Sequence, residues 1–187
     1  VYVSDGQLVV AGGHINGFET TTSAEYLDNG EWHSMTMNYT HDMAFSVVTA
    51  DGRLMLGGGC SYGSGVGQSS GVEIYNPASH SFEVMPSMTT SRTLCHAVQM
   101  AGGDVLVSGN WYASDSKELY SASDNLFVSK GAVSENRSTP YILPIAADNA
   151  IIFGPSGNYG ANTQLMVDRY DGSQFTVDLF GEWRPVS

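Results

Sequence analysis

The sequence predicts an all-β chain made from one repeated unit. Three observations carry that expectation: turn residues and aromatics are plentiful while charge is scarce, an apolar run ending in glycine returns at a near-constant interval, and a tyrosine–turn–aromatic phrase follows each return. The 187 residues include 22 Gly, 10 Tyr, 7 Phe and 3 Trp, and only 14% are charged. Soluble helices cover their surfaces with Lys, Glu and Arg, so this balance favours short strands joined by tight turns. The length suits one domain with a sizeable core, here residues 1–187.

The repeat sets the organisation. "DGQLVVAGG" at 5–13 returns as "DGRLMLGGG" at 51–59, and aligning on Gly12 makes Gly58, Gly109 and Gly154 its counterparts. Within a unit the first strand is read from "HDMAFSVVTADG", "RTLCHAVQMAGG" and "RSTPYILPIAAD", which start at His41, Arg92 and Arg137 and run into a turn. The glycine run is the second strand of that hairpin. The third and fourth strands come from "AEYLDNGEW", "VEIYNPASHSF", "KELYSASDNLF" and "VDRYDGSQF". There Tyr26, Tyr75, Tyr120 and Tyr170 are expected to pair with Trp32, Phe82, Phe127 and Phe175 across a second hairpin, closing one side of a small sheet.

Four short strands in about 45–50 residues cannot bury both faces alone, but copies stacked face to face around an axis can, which is the β-propeller solution. The apolar runs "LVV", "LML", "VLV" and "AII" lack alternation, as expected of strands covered on both faces. The blades are read as 1–35, 36–88, 89–133 and 134–181, with 182–187 opening a further strand. Counting back from the glycines places the start of the first unit before residue 1, so the chain reads as a segment of a larger propeller.

A glycine pair after an apolar strand, a Tyr, then Trp or Phe about six residues on, at a period near 50, resembles the kelch repeat of the galactose oxidase and kelch-like superfamily. The resemblance spans essentially the whole chain, and Gly154-Pro155 departs from it by lacking the second glycine. It implies antiparallel four-stranded blades. It also implies that an Arg at the start of strand one faces a ligand, as in peptide-binding and sugar-oxidising members, which points to Arg92 and Arg137, with His41 in the same slot.

Antiparallel pairing puts the start of strand one and the loop after the glycine run on one side of the propeller. The expected ligand-binding set on that side is Arg92, Arg137, His41, Trp111, Tyr112, Tyr62, Tyr159 and His14, with Arg184, Cys60 and Asn158 nearby. Guanidinium forks near a concave axis recognise carboxylates or paired hydroxyls, and aromatic faces offer platforms for sugar rings. A sugar, especially an acidic one, or an acidic peptide suits such a face. The structural alternative is that Arg in this slot ties blades together through backbone carbonyls.

Other classes are disfavoured. Nineteen acidic against seven basic residues give a net charge of −12, which repels nucleic acid. No apolar stretch approaches the roughly 20 residues of a membrane span, and "VYVSDGQ" lacks the pattern of a signal peptide. The five histidines show no local metal-pair spacing, so no metal or cofactor is expected. The Tyr-His dipeptide by which copper oxidases of the resembled class hold their metal is absent, as are a GxSxG elbow and a paired-carboxylate motif. The glycine-rich loop 57–71 reads as a rim loop rather than a phosphate cradle, and His96 as a packed mid-strand residue. Cys60 and Cys95 are either two buried thiols or a disulfide. Asn38 and Asn136 head sequons.

The sequence therefore points to a non-catalytic recognition scaffold binding a carbohydrate or protein segment. Two alternatives stand beside it: a carbohydrate-active enzyme similar to the sialic acid mutarotases or galactose oxidases of the kelch class, and a structural module of a larger surface protein. Acidity and scarce Lys suggest an extracellular or periplasmic protein.

Overall fold

The computed structural model describes residues 2–4, 6–17, 19–61, 67–111, 114–137, 139–146, 148–155, 165–172 and 175–177, and every element among them is a strand. In chain order the first blade region contains β1 (Tyr2–Ser4), β2 (Gln7–Ala11), β3 (His14–Ile15), β4 (Glu19–Thr20), β5 (Ser23–Asp28) and β6 (Glu31–Thr36). The second contains β7 (Phe45–Val48), β8 (Leu54–Gly57), β9 (Cys60–Ser61), β10 (Gly67–Gln68), β11 (Val72–Asn76) and β12 (Ser81–Met85). Then follow β13 (His96–Gln99), β14 (Val105–Ser108), β15 (Ser114–Ser121), β16 (Leu126–Arg137), β17 (Tyr141–Ala146), β18 (Asn149–Pro155), β19 (Leu165–Tyr170) and β20 (Phe175–Val177).

They form four antiparallel four-stranded sheets, ordered β1-β2-β5-β6, β7-β8-β11-β12, β13-β14-β15-β16 and β17-β18-β19-β20. β3-β4 and β9-β10 are small hairpins in the loops after the second strands of blades 1 and 2. The chain is thus all-β with the blade topology of a propeller, as its repeat predicts.

Gly58, Gly109 and Gly154 occupy equivalent places, each one residue beyond the second-strand position that pairs with the first residue of the first strand, since Gly57, Ser108 and Phe153 pair with the first residues of β7, β13 and β17; Gly12 directly follows Ala11, the last residue of β2. Gly12 and Gly58 have φ of 71° and 72°. A Cβ on Gly58 would lie 2.7 Å from the Arg92 carbonyl oxygen, and one on Gly12 would press on that of His41. Glycine is required because the next blade's entry segment passes against it.

Three apolar layers hold the blades together. Val9, Ala24, Tyr26 and Met35 of blade 1 meet Leu54, Leu56, Tyr75 and Phe82 of blade 2. Phe45, Met55, Val72 and Ile74 meet Val105, Val107, Tyr120 and Phe127 of blade 3, and Leu106 and Leu119 meet Ala150, Ile152 and Tyr170 of blade 4. Leu54, Val105, Leu106 and Ile152 are completely buried. Alternate residues of one strand serve different layers, which is why the second strands read as unbroken apolar runs.

Two local expectations are corrected. The first strands begin at Phe45, His96 and Tyr141, four residues later than His41, Arg92 and Arg137. Met43 and Leu94 take φ of 55° and 52°, which breaks the extended path before β7 and β13. His96 therefore opens β13 rather than sitting mid-strand, is exposed, and lies 5.1 Å from the Tyr141 ring. Secondly, Tyr75, Tyr120 and Tyr170 do oppose Phe82, Phe127 and Phe175, but in blade 1 Leu27 opposes Trp32 and Tyr26 opposes His33. An Asn29-Gly30 turn with φ of 47° and 86° makes a tight two-residue connection there. Opposed residues then stand an odd number of positions apart, whereas Tyr26 and Trp32 are separated by six and fall on opposite faces.

Candidate functional site

The entry segments of blades 2 and 3, residues 38–44 and 89–95, are each held by a carboxylate on the third strand of their own blade. Glu73 pairs with Leu56 across the sheet and Glu118 with Val107, so both occupy the same register. Glu73 accepts hydrogen bonds from the backbone N–H of Asn38 (2.8 Å) and Tyr39 (3.2 Å), from Asn38 Nδ2 (2.9 Å) and from His41 Nε2 (2.9 Å). Glu118 accepts from the N–H of Thr89 (2.5 Å) and Thr90 (3.0 Å), the Thr89 hydroxyl (2.7 Å), and Arg92 Nε (3.2 Å) and Nη2 (3.0 Å).

Arg92 is fully buried, and its remaining donors reach the carbonyls of Gly109 (3.2 Å) and Ser116 (2.9 Å) and the Ser116 hydroxyl (2.9 Å). His41 bonds the Gly58 carbonyl at 2.8 Å through Nδ1 and is also buried. The expectation that Arg92 and His41 face a ligand is corrected: both side chains are spent inside the blade. Burying a guanidinium is costly, and only a complete set of charge-assisted partners makes it tolerable. Burial opposes ionisation of Glu73, yet the bonds from His41 and Asn38 outweigh it and hold its carboxyl below the ordinary range. Asn38, the first sequon residue, is committed by its side chain to Glu73 and to the Phe82 carbonyl at 3.0 Å.

The backbone carbonyls of the same segments tie adjacent blades: Gly13 N–H donates to His41 O at 2.9 Å and Gly59 N–H to Arg92 O at 2.7 Å. One step on, Cys60 N–H donates to Asp42 O and Trp111 N–H to Thr93 O, both at 2.9 Å. The entry segments and the loops after the glycine runs therefore share one face, as pairing direction requires.

The same face carries further polar side chains, of which Asp42, Cys60 and Asn110 are buried. His14, on β3, is half-exposed, with Nδ1 3.4 Å from Asp42 Oδ1. The Cys60 thiol lies 3.8 Å from Asp42 Oδ2. The amides of Gln68 and Asn110 bond each other, and Asn110 Nδ2 donates to Ser91 O at 3.0 Å, fixing its plane. Trp111, partly exposed, follows directly, and Met43 is exposed beside Asp42. Of the predicted set, His14 and Trp111 lie on this face; Asp42, Gln68 and Asn110 stand beside them, polar side chains in loops that the repeat pattern gave no reason to single out.

Arg137 lies at the end of β16, its backbone opposite Ser114 as Arg92 lies opposite Ser69. Its side chain, and Tyr62, Tyr112, Tyr159, Asn158 and Arg184 entirely, are outside the described residues, as is the Asn136 side chain. Cys60 and Cys95 are free, buried thiols rather than a disulfide. Among the described residues no three His, Cys, Asp or Glu side chains converge as a metal site, and no helix is long and apolar enough to cross a membrane.

No protein-family model and no curated protein sequence matches the chain. Solved structures do. A fungal alcohol oxidase of the AA5 family, in complex with copper, superposes with a TM-score of 0.64 at 15% identity over 94% of this chain and 40% of the oxidase. YjhT superposes with a TM-score of 0.67 at 14% identity over all of this chain and 67% of YjhT. The chain spans less than half the length of the oxidase. At these identities the likeness shows the fold alone: an all-β architecture of propeller blades shared with an AA5 oxidase and YjhT.

Proposed function

We propose that the chain is part of a kelch-type propeller whose entry face recognises a hydroxyl-rich ligand, a carbohydrate, without transforming it. The observation that carries this reading is the Asp42 carboxylate and the Gln68–Asn110 amide pair fixed just beneath one face by backbone ties, with His14 and Trp111 the more exposed groups beside them. Carboxylate and amide groups of fixed orientation match the paired donors and acceptors of sugar hydroxyls, and an indole supports the apolar face of the ring. A glycan array probed with the protein is expected to give saturable binding that Asp42→Asn and Trp111→Ala each lower at least tenfold. Unchanged binding in both variants would overturn the reading.

A carbohydrate-active enzyme is the second reading, favoured by half-exposed His14 backed by the buried Asp42 carboxylate, a couple of the kind that transfers protons, and by the shared fold with an alcohol oxidase. Anomer exchange followed by NMR, and oxygen consumption with copper and candidate alcohols, separate catalysis from binding.

A further inference from the structure

The gaps between blades 1 and 2 and between blades 2 and 3 are built from equivalent positions but filled differently. Gln7 and Arg53 each stand five residues before the glycine that follows their second strand. Tyr26 and Ile74 pair with Val9 and Met55, three residues before the same glycines. Tyr75 and Tyr120 come two residues after Glu73 and Glu118, and His80 and Asn125 follow those tyrosines by five, with φ of 50° and 51°.

Between blades 1 and 2 these positions close the gap. The Tyr75 hydroxyl donates to Gln7 Oε1 at 2.5 Å, and the Tyr26 ring lies on His80 with centroids 4.1 Å and planes 3° apart. Between blades 2 and 3 the same positions turn away from one another. The Tyr120 hydroxyl donates to Asn125 Oδ1 of its own blade at 2.9 Å, and Arg53 gives its Nε–H to Asp51 Oδ2 of its own turn at 2.7 Å. Aliphatic Ile74 stands where blade 1 places a ring. A cavity of about 240 Å³ remains, lined by the buried side chains of Met55, Ile74 and Tyr120 and by half-buried Met85, Thr49 and Arg53. Thr49 and Arg53 belong to the connection between the first two strands, so the cavity opens on the face opposite the entry segments.

We propose that this inter-blade cavity binds a small aromatic carboxylate, its ring in the place corresponding to Tyr26 and its carboxylate on Arg53. Thioether and aliphatic side chains adapt to a flat ring, and the Tyr120 ring adds an aromatic contact. Asp51 takes only the Nε–H of the guanidinium; its Nη groups bond no described residue, and a guanidinium fork recognises a carboxylate bidentately. The volume lies below the roughly 300–1,000 Å³ of pockets for drug-sized ligands, which selects a single ring. The cavity shares no residue with the proposed carbohydrate-binding face, so the two readings stand or fall separately.

The probe is benzoate, titrated into the protein by calorimetry with ligand-observed saturation-transfer NMR alongside. Benzoate is expected to bind saturably. Benzyl alcohol, which lacks the charge, and acetate, which lacks the ring, should each bind at least tenfold more weakly. Arg53→Gln, which installs the glutamine of blade 1 at a half-buried turn position, is expected to weaken benzoate at least tenfold and to leave the melting temperature unchanged. Ile74→Tyr, which rebuilds the ring of blade 1, is expected to exclude benzoate; its melting temperature is measured too, and Arg53→Gln decides alone if it does not fold. No binding up to tens of millimolar benzoate, equal binding of benzyl alcohol or acetate, or binding that survives Arg53→Gln or a folded Ile74→Tyr overturns the proposal.

Discussion

Arg92 shows how a residue's surroundings decide its role. Its type and place invite a binding role, but its guanidinium closes on Glu118, Ser116 and Gly109 without touching solvent. Arg92→Ala leaves a buried carboxylate without its cation and is expected to cost about 3–5 kcal/mol, read as a fall in denaturation midpoint. His41 and Glu73 repeat the arrangement with an imidazole in place of the guanidinium. Because the folded Glu73 pKa is lowered, its contribution is fully present above about pH 4.5, the ordinary glutamate value, and is lost as pH falls through the folded value. Acid unfolding curves of Glu73→Gln should therefore be flatter in that range than those of the parent. Cys95 is fully sheltered, and burial pushes its thiol up to about 11. Alkylation by iodoacetamide at pH 8 should spare it in the folded protein and modify it once denaturant is added.

Among the elements, the outer hairpins distinguish rings that pack from rings that decorate. Phe82 opposes Tyr75 with centroids 5.4 Å apart inside the layer between blades 1 and 2, and the Tyr75 hydroxyl reaches Gln7 at 2.5 Å and His80 at 3.1 Å. In blade 1 His33 takes the position opposite the tyrosine, and Trp32, paired with Leu27 on the other face, remains 48% exposed. Phe82→Ala is expected to cost about 3–5 kcal/mol, and Trp32→Ala less than half of that, which paired urea titrations would measure. The Tyr–Phe pairing of three blades was legible from the sequence. Blade 1 was misread because Tyr26 looks like its counterparts until the parity imposed by the Asn29-Gly30 turn is counted. That turn places Tyr26 in a stack with His80 of blade 2, centroids 4.1 Å apart.

For the molecule as a whole, no blade has a core of its own; each apolar layer is shared by two sheets. Leu106→Ala, in the layer between blades 3 and 4, should cost about 2–5 kcal/mol and weaken both blades together, so calorimetry should show one transition displaced rather than a new one split off. Tyr141, Leu143 and Ile145 on β17 project from the opposite face of blade 4, each about half exposed. The glycine interval, the apolar second strands and the hairpin aromatics sufficed to establish the repeated sheet, its topology and the face that carries the loops, because these follow from local periodicity and antiparallel direction. Tertiary structure alone decided which side chains reach that face. Whether Arg92 meets a ligand or Glu118 depends on a residue 26 positions away, and a carboxylate in the middle of an apolar strand announces neither its burial nor its partner.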